Sequence, residues 1–121
     1  MPPRNQKSSF GKFGEDFAVN LLKSKGYEVV ARNFRSRFGE IDIVATYNRE
    51  LIFVEVKTRY SNKFGHPEEA VTSQKLRKIM RTAEYFSITH PTLPKKMRIE
   101  VVALEVSDGK TVSSKIISVS S

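Results

Sequence analysis

Two apolar segments separated by a short polar turn constrain the fold of this chain more than any other feature. The segments are 41–45 and 51–57, and Asn48-Arg49 lies midway between them. Both are rich in the β-branched and aromatic residues that favour strands. The pattern predicts an antiparallel hairpin in which each residue pairs with the one equally distant from the centre of the turn.

This register places acidic side chains opposite one another. Asp42 is predicted to lie across from Glu55, and Glu40 across from Lys57. Because side chains alternate between the two faces of a strand, all four should point to the same side of the sheet. The opposite face is predicted to be continuously apolar, from the pairs Ile41–Val56, Ile43–Val54 and Ala45–Ile52. A one-residue bulge would break this register.

Two carboxylates that face each other across a hairpin repel, and a divalent cation would compensate for that repulsion. We expect Mg²⁺ or Mn²⁺ to be bound by Asp42, Glu55 and the backbone carbonyl of Val56, with water completing the coordination. Lys57 would hold the attacking water, lower its pKa or stabilise charge in the transition state. This set suits phosphodiester hydrolysis. The alternative is a solvent-exposed strand on which Glu55 and Lys57 form an ordinary ion pair.

The remaining pattern predicts an α/β fold with a mixed central sheet flanked by helices. A basic tail is expected over 1–9, followed by a single domain over 10–121. The predicted elements are a helix over 10–25, a strand over 27–34, a helix over 72–89, a strand over 99–104 and a last strand over 115–119. The strand that follows the second helix should pair in parallel with an earlier strand. In the first helix, Phe10, Phe13 and Phe17 are predicted to be core residues rather than a platform for stacking bases.

The charge of the chain favours a polyanionic partner. The formal net charge is +8, from 21 Lys and Arg against 13 Asp and Glu. Residues 57–98 contain ten basic residues and three acidic ones. Arg77, Lys78 and Arg81 form a basic stripe with Tyr85 on the second predicted helix, and Arg59 and Lys63 follow the second hairpin strand. These side chains are candidates for phosphate contact; a solubilising helix face is the alternative.

The sequence also indicates the compartment in which the protein is expected. The chain has no cysteine, which fits a reducing compartment, and no apolar run of the length that spans a bilayer. The first residues lack the apolar segment of a signal peptide. We therefore expect a cytoplasmic protein without a membrane partner.

Several motifs resemble those of a known family. They are Gly14-Glu15-Asp16-Phe17-Ala18, Gly26-Tyr27, Asn33, the segment 39–45 (GEIDIVA) and the segment 53–59 (FVEVKTR). Together they resemble the YraN-like family of small, functionally uncharacterised bacterial proteins, over about residues 11–105. That family is similar in fold to the PD-(D/E)xK nuclease superfamily, which includes Holliday-junction resolvases and restriction endonucleases.

The resemblance implies an αβββαβ restriction-endonuclease-like core with metal ligation by Asp42 and Glu55 and with Lys57 as the catalytic lysine. It also implies that a carboxylate of the first helix, here Glu15, joins the site. Gln74 or Lys75 at the start of the second helix would reach towards it, although an exposed helix face is the favoured interpretation of these two residues. The sequence departs from the family at Glu100, where relatives usually carry Asp, which conserves the charge.

These observations predict a metal-dependent endonuclease that acts on nucleic acid, expected to be DNA and to include branched or structured DNA. The alternative is a catalytically weak or inactive nucleic-acid-binding module, or an accessory subunit of a DNA-processing complex. Analogy with junction resolvases makes a homodimer a further expectation.

Overall fold

Seven helices and strands are present in the computed structural model, which describes residues 9–59, 72–108 and 110–119. In chain order they are α1 (Ser9–Ser24), β1 (Glu28–Ser36), β2 (Gly39–Tyr47), β3 (Glu50–Arg59), α2 (Ser73–Thr89), β4 (Met97–Ser107) and β5 (Lys110–Val119). The predicted elements are all found, with ends that differ by a few residues. The chain therefore has the predicted α/β class, and the strand after α2 is followed by one more strand at the sheet edge.

The five strands form one mixed sheet in the order β1-β2-β3-β4-β5. Neighbouring strands are antiparallel except β3 and β4, which pair in parallel as predicted. The crossover between these two strands contains α2, since parallel neighbours require a long connection. This αβββαβ arrangement with a terminal β5 is compatible with a restriction-endonuclease-like core.

The register of the β2–β3 hairpin is the predicted one from Tyr47–Glu50 to Ile43–Val54. Asn48 and Arg49 have φ values of 51° and 64°. Positive φ at both central residues is typical of the type I′ turn, whose twist matches that of the flanking strands. The turn therefore fixes the register.

The two helices cover opposite faces of the sheet. One core cluster joins α1, through Ala18 and Leu22, to strand residues such as Ile52 and Val54. The second joins α2, through Ile79 and Phe86, to strand residues that include Leu51, Phe53 and Ile99. Consecutive residues of β3 thus alternate between the two clusters, which is why this central strand is apolar over most of its length.

The buried face of α1 differs from the prediction. Phe13 is 38% exposed and Phe17 only borders the cluster, whereas Val19 is buried. The side chain of Phe10 lies outside the described residues. The reason is a close approach at Gly14, where an added Cβ would lie 2.4 Å from Thr58 Oγ1. This contact turns the Gly14–Ala18 side of α1 towards β3, so Phe13 lies at the edge of the core.

The helix α2 follows its predicted pattern. Ile79, Ala83 and Phe86 are buried, and Lys78 and Arg81 are exposed. Thr72 is the N-cap residue, and its hydroxyl accepts a hydrogen bond from the backbone N–H of Lys75 at 3.1 Å. The start of α2 is therefore defined by the side chain that the sequence predicted could cap it.

The strict alternation predicted for β2 fails near Asp42. Ile41, expected on the same face as Ile43, packs instead in the cluster on the α2 side. In β1 at the same level, between the pairs Arg32–Ile43 and Phe34–Ile41, Asn33 has a φ of 53°. A residue with left-handed backbone conformation interrupts the regular pleat of a strand. β1 and β2 are therefore irregular beside the predicted site.

Two predictions fall on residues that the structure does not describe, namely the basic tail before Ser9 and Lys63. Among the described residues, no helix combines the length and apolarity needed to cross a membrane.

Candidate metal and nucleic-acid site

The carboxylate of Asp42 lies where β2 and β3 separate, and it accepts a hydrogen bond from β3 in place of a main-chain carbonyl. Its Oδ2 accepts a hydrogen bond from the backbone N–H of Val56 at 2.8 Å. The described β2–β3 pairs end one position earlier, at Ile43–Val54. Asp42 is thereby fixed against β3, next to Glu55, and is only 7% exposed.

Glu55 is the second buried carboxylate of the site, at 8% exposure. One of its oxygens lies 2.5 Å from Lys75 Nζ and 3.9 Å from Lys57 Nζ. Burial, and then the hydrogen bond and negative charge of Asp42, raise the pKa of Glu55 to about 7, against the opposing effect of Lys75. The predicted pair of facing acids is therefore present, and it is costly to ionise without an added cation.

The pKa values of the two neighbouring lysines, Lys57 and Lys75, are shifted in opposite directions. Burial and the neighbouring Lys75 lower the pKa of Lys57 below its ordinary value. Burial acts most strongly, to lower the pKa of Lys75, but the hydrogen bonds to Glu55 and Lys57 and the charges of Glu55 and Asp42 together outweigh it and raise the pKa. Both ammonium groups lie near one carboxylate, so the site contains two acids and two bases.

The N-cap of α2 explains how Lys75 reaches β3. The hydrogen bond from the Lys75 N–H to Thr72 fixes the first turn, and the side chain then extends to Glu55 across the sheet face. The sequence favours an exposed helix face for Lys75 and Gln74. That prediction is wrong for Lys75, whereas Gln74 is exposed as expected. Sequence spacing within α2 could not reveal the contact, because it depends on how α2 docks on β3.

Glu40 does not join the site in the predicted way. Its carboxylate forms an ion pair with Arg35 of the neighbouring strand β1 at 3.1 Å, and its side chain is 50% exposed. The hairpin register that would have placed it across from Lys57 is not continued to that level by the described β2–β3 pairs. The separation of the strands at Asp42 is the physical reason.

Glu15 lies on α1, the helix on the other face of the sheet from α2, and is only 2% exposed. Its Oε1 accepts hydrogen bonds from Arg32 Nε and Asn33 Nδ2, each at 3.0 Å. Asn33 occupies the β1 position between the residues that pair with Ile41 and Ile43, opposite Asp42. The structure therefore brings Glu15 to the level of Asp42 by way of Asn33, and Arg32 supplies its counter-charge.

The chemistry of the donor set fits Mg²⁺. That ion is commonly held by one or two carboxylates and keeps several of its waters. Asp42 and Glu55 supply two carboxylates, and the hydrogen bond between Val56 and Asp42 places the Val56 backbone beside them. Within the described ranges, no three His, Cys, Asp or Glu side chains form a metal-binding group. The candidate ligands therefore remain Asp42, Glu55 and the Val56 carbonyl.

Comparison with known proteins places the chain in a family. The model of the uncharacterised protein family UPF0102 matches residues 14–104, which is most of the chain. The chain belongs to the UPF0102 family. This confirms the resemblance to YraN-like proteins that the motifs around Asp42 and Glu55 indicated.

Many curated UPF0102 proteins are similar over most of their length. A UPF0102 protein of Caldicellulosiruptor bescii is 47% identical over 107 residues, which cover 88% of this chain and 89% of the relative. One from Persephonella marina is 43% identical over 94 residues, covering 78% and 81%. One from Syntrophomonas wolfei is 40% identical over 107 residues, covering 88% and 93%. The described fold thus lies largely within the part that the family shares.

Glu100 of this UPF0102 protein pairs with Val54 of β3, the residue before Glu55, and so lies on the face of the sheet opposite to Glu55. Glu100 is 5% exposed, and its Oε1 accepts a hydrogen bond from the Tyr27 hydroxyl at 2.7 Å. Burial and the adjacent carboxylate raise the pKa of Tyr27 above its ordinary value. Arg98 Nε lies 3.9 Å from the other Glu100 oxygen. Glu100 is therefore part of a structural network, apart from Asp42 and Glu55.

Two of the basic candidates line a groove beside the site. Lys75 and Lys78 line an open groove of about 420 Å³ between α2 and the start of β2, together with Gly39, Glu40, Thr72, Gln74 and Ile79. Arg81 is exposed on the next turn of α2, and Arg59 ends β3 two residues beyond Lys57. This surface of the UPF0102 fold combines basic side chains with the buried acids at one end.

Proposed function

We propose that this UPF0102 protein is a metal-dependent endonuclease that hydrolyses phosphodiester bonds in nucleic acid, with DNA as the expected substrate. The observation that carries the proposal is the buried pair Asp42–Glu55 with Lys57 and Lys75 beside it. Carboxylates that repel both each other and a phosphate have no use in a surface that only binds DNA. They are useful where a cation has to be held.

The residues of the chain would divide the work. Asp42 and Glu55 would hold Mg²⁺ or Mn²⁺, which when bound polarises the scissile phosphate and activates water. The lowered pKa of Lys57 leaves a larger fraction of its amine able to accept a proton from the attacking water near neutral pH. Lys75 would stabilise negative charge on the phosphate once Glu55 is committed to the ion. The basic side chains along the groove would bind the flanking phosphates.

One observation favours the second candidate, a nucleic-acid-binding module with little turnover. Lys75 forms an ion pair with Glu55 at 2.5 Å and so supplies a counter-charge from within the chain. A site closed by its own ammonium group could be stable and catalytically silent, because fold alone does not determine activity.

Incubation with supercoiled plasmid and with four-way-junction DNA in Mn²⁺ tests the proposal. The parent protein should nick or resolve the DNA, and both Asp42→Ala and Lys57→Ala should lose that activity. Lys57→Ala should retain most of the Mn²⁺ affinity, since the lysine is not a ligand. Lys23→Ala, which removes an exposed lysine from the last turn of α1, is the matched control and should cleave like the parent.

Two other results are informative. Equal cleavage by Lys57→Ala and the parent would remove Lys57 from the mechanism. DNA binding by the parent without cleavage, retained in Asp42→Ala, would support the binding module instead.

A further inference from the structure

An aromatic cluster lies on the same side of the sheet as the candidate site, where the turn between β1 and β2 packs on α2. The rings of Phe38 and Tyr85 have centroids 5.8 Å apart, and Tyr85 is also 6.3 Å from Phe34. The guanidinium carbon of Arg37 lies 4.9 Å from the centroid of the Phe38 ring. Three rings thus meet at tilted angles, and a guanidinium group lies over one of them.

This cluster is held in place by the fold. Phe34 packs edge-on against the buried Phe86, with centroids 4.9 Å apart. Gly39, which follows Phe38, approaches α2 so closely that a Cβ would lie 3.2 Å from Thr82 Oγ1. The ring of Tyr85 nevertheless remains 41% exposed. The cluster therefore presents a fixed, partly open aromatic surface.

The surroundings of the cluster are basic. Lys78 and Arg81 precede Tyr85 by seven and four residues on the same helix, so all three lie along one exposed face of α2. The open groove that Lys78 shares with Lys75 continues this face towards Glu55. Among the described residues that line this groove, Glu40 is the acid, and it is paired with Arg35. A polyanion lying along this face would meet cations at each turn of the helix.

We propose that Tyr85, supported by Phe38 and Arg37, is a stacking platform for an unpaired base of the nucleic acid whose backbone follows α2. A ring of this kind binds the face of a base, and that face is accessible only where the base is not stacked inside a duplex. This inference rests on the proposed function and specifies its substrate class as nucleic acid with a single-stranded segment next to the cleaved bond.

The spacing supports a defined geometry. Lys75 and Tyr85 are ten residues apart in α2, which corresponds to about 15 Å along the helix axis. The platform would therefore lie within a few nucleotides of the scissile phosphate.

Binding to two labelled DNA probes in EDTA tests the inference without any contribution from cleavage. One probe is a blunt duplex, and the other is the same duplex with a short single-stranded overhang. The parent should bind the overhang probe more tightly, and Tyr85→Leu should lose about 5- to 150-fold in affinity for that probe, since one stacked base contributes about 1–3 kcal/mol. Tyr85→Phe, which keeps the ring, should bind both probes like the parent.

The other variants separate stacking from charge. Arg81→Ala should weaken binding to both probes equally. It should also reduce the slope of log affinity against log salt concentration by about 1, since one phosphate contact is lost. Ile88→Ala, at a 77% exposed position one turn further along α2, should change neither affinity. Since Tyr85→Leu also alters packing, photo-cross-linking of the parent to an overhang carrying 5-iodouracil provides a second measurement, with Tyr85 or Phe38 as the expected adduct.

The outcomes distinguish the two proposals. Equal affinity of Tyr85→Leu and the parent for the overhang probe, or an equal loss on both probes, would overturn the stacking platform and leave the nuclease proposal standing. Absence of binding to either probe would overturn both. Cross-links confined to residues outside this cluster would also exclude the platform.

Discussion

The ammonium group of Lys75 lies 2.5 Å from a carboxylate oxygen of Glu55, which joins the first turn of α2 to the centre of β3. In this arrangement a side chain occupies the position beside the carboxylate that a cation would require. Lys75 is 39% exposed, so it can move away towards solvent. It therefore competes with a metal ion for Glu55.

Replacement of Lys75 should strengthen metal binding. Lys75→Met removes the competing charge, and we expect Mg²⁺ to bind about three- to tenfold more tightly, since a partly exposed charge at this distance contributes about 1 kcal/mol. Calorimetric titration at pH 8.5 is the suitable measurement, because loss of Lys75 also raises the proton affinity of Glu55. Lys78→Met, an exposed lysine on the next turn, should have a smaller effect. Weaker binding by Lys75→Met would show that the lysine assists the ion.

The stability of the metal-free protein should fall as the pH rises from about 4.5 to about 7. Glu55 has a pKa of about 7 in the folded protein and an ordinary value of 4.5. Between these values the folded state binds more protons, so the free energy of unfolding decreases with pH. Glu55→Gln mimics the protonated acid and should match the parent near pH 5. At pH 8 it should be more stable by on the order of 3 kcal/mol.

Denaturant unfolding of both proteins in EDTA across this pH range provides the comparison. Added Mg²⁺ should restore the stability of the parent at pH 8 and leave Glu55→Gln nearly unchanged. A constant difference between the two proteins at all pH values would contradict the raised pKa.

Glu15 combines a structural contact with a predicted catalytic role, and a conservative change separates them. Glu15→Gln keeps the shape but loses the charge that faces Arg32, so the protein should be destabilised by about 1–3 kcal/mol. Asp16→Asn removes the more exposed acid that contacts the same arginine, and it should cost less than about 0.5 kcal/mol. Thermal unfolding measures both values.

Cleavage assays below the melting temperature then test the catalytic part. If Glu15 acts only on the fold, folded Glu15→Gln should cleave like the parent. A large loss of cleavage at a temperature where the variant is fully folded would place Glu15 among the catalytic residues.

The contact between Gly14 and Thr58 predicts a compensating pair of substitutions. Gly14→Ala places a methyl group 2.4 Å from Thr58 Oγ1 in the present geometry, so α1 or Thr58 must shift. We expect a loss of about 1–2 kcal/mol, since overpacking outweighs the better helix propensity of alanine. Thr58→Ala in the same chain should recover most of that loss. Additive effects in a double-mutant cycle by chemical denaturation would argue against this contact.

Much of the site could be predicted from local pattern. Positive φ at Asn48 and Arg49 produces the turn that the spacing indicated, and this turn fixes Ile43 opposite Val54. From there Asp42 and Glu55 follow by one step along each strand. The prediction failed two residues further, at Glu40, because the carboxylate of Asp42 replaces a main-chain acceptor and the strands separate.

The sequence by itself determined the elements, the hairpin register and the pairing of two acids, because these depend on contacts between residues close in the chain. Only the tertiary structure decided that α2 docks with Lys75 on Glu55, that Glu15 is neutralised by Arg32, and that Phe38 meets Tyr85. Those contacts join residues far apart in sequence. Their geometry is set by how the helices pack on the two faces of the sheet, and no periodicity within a single segment encodes it.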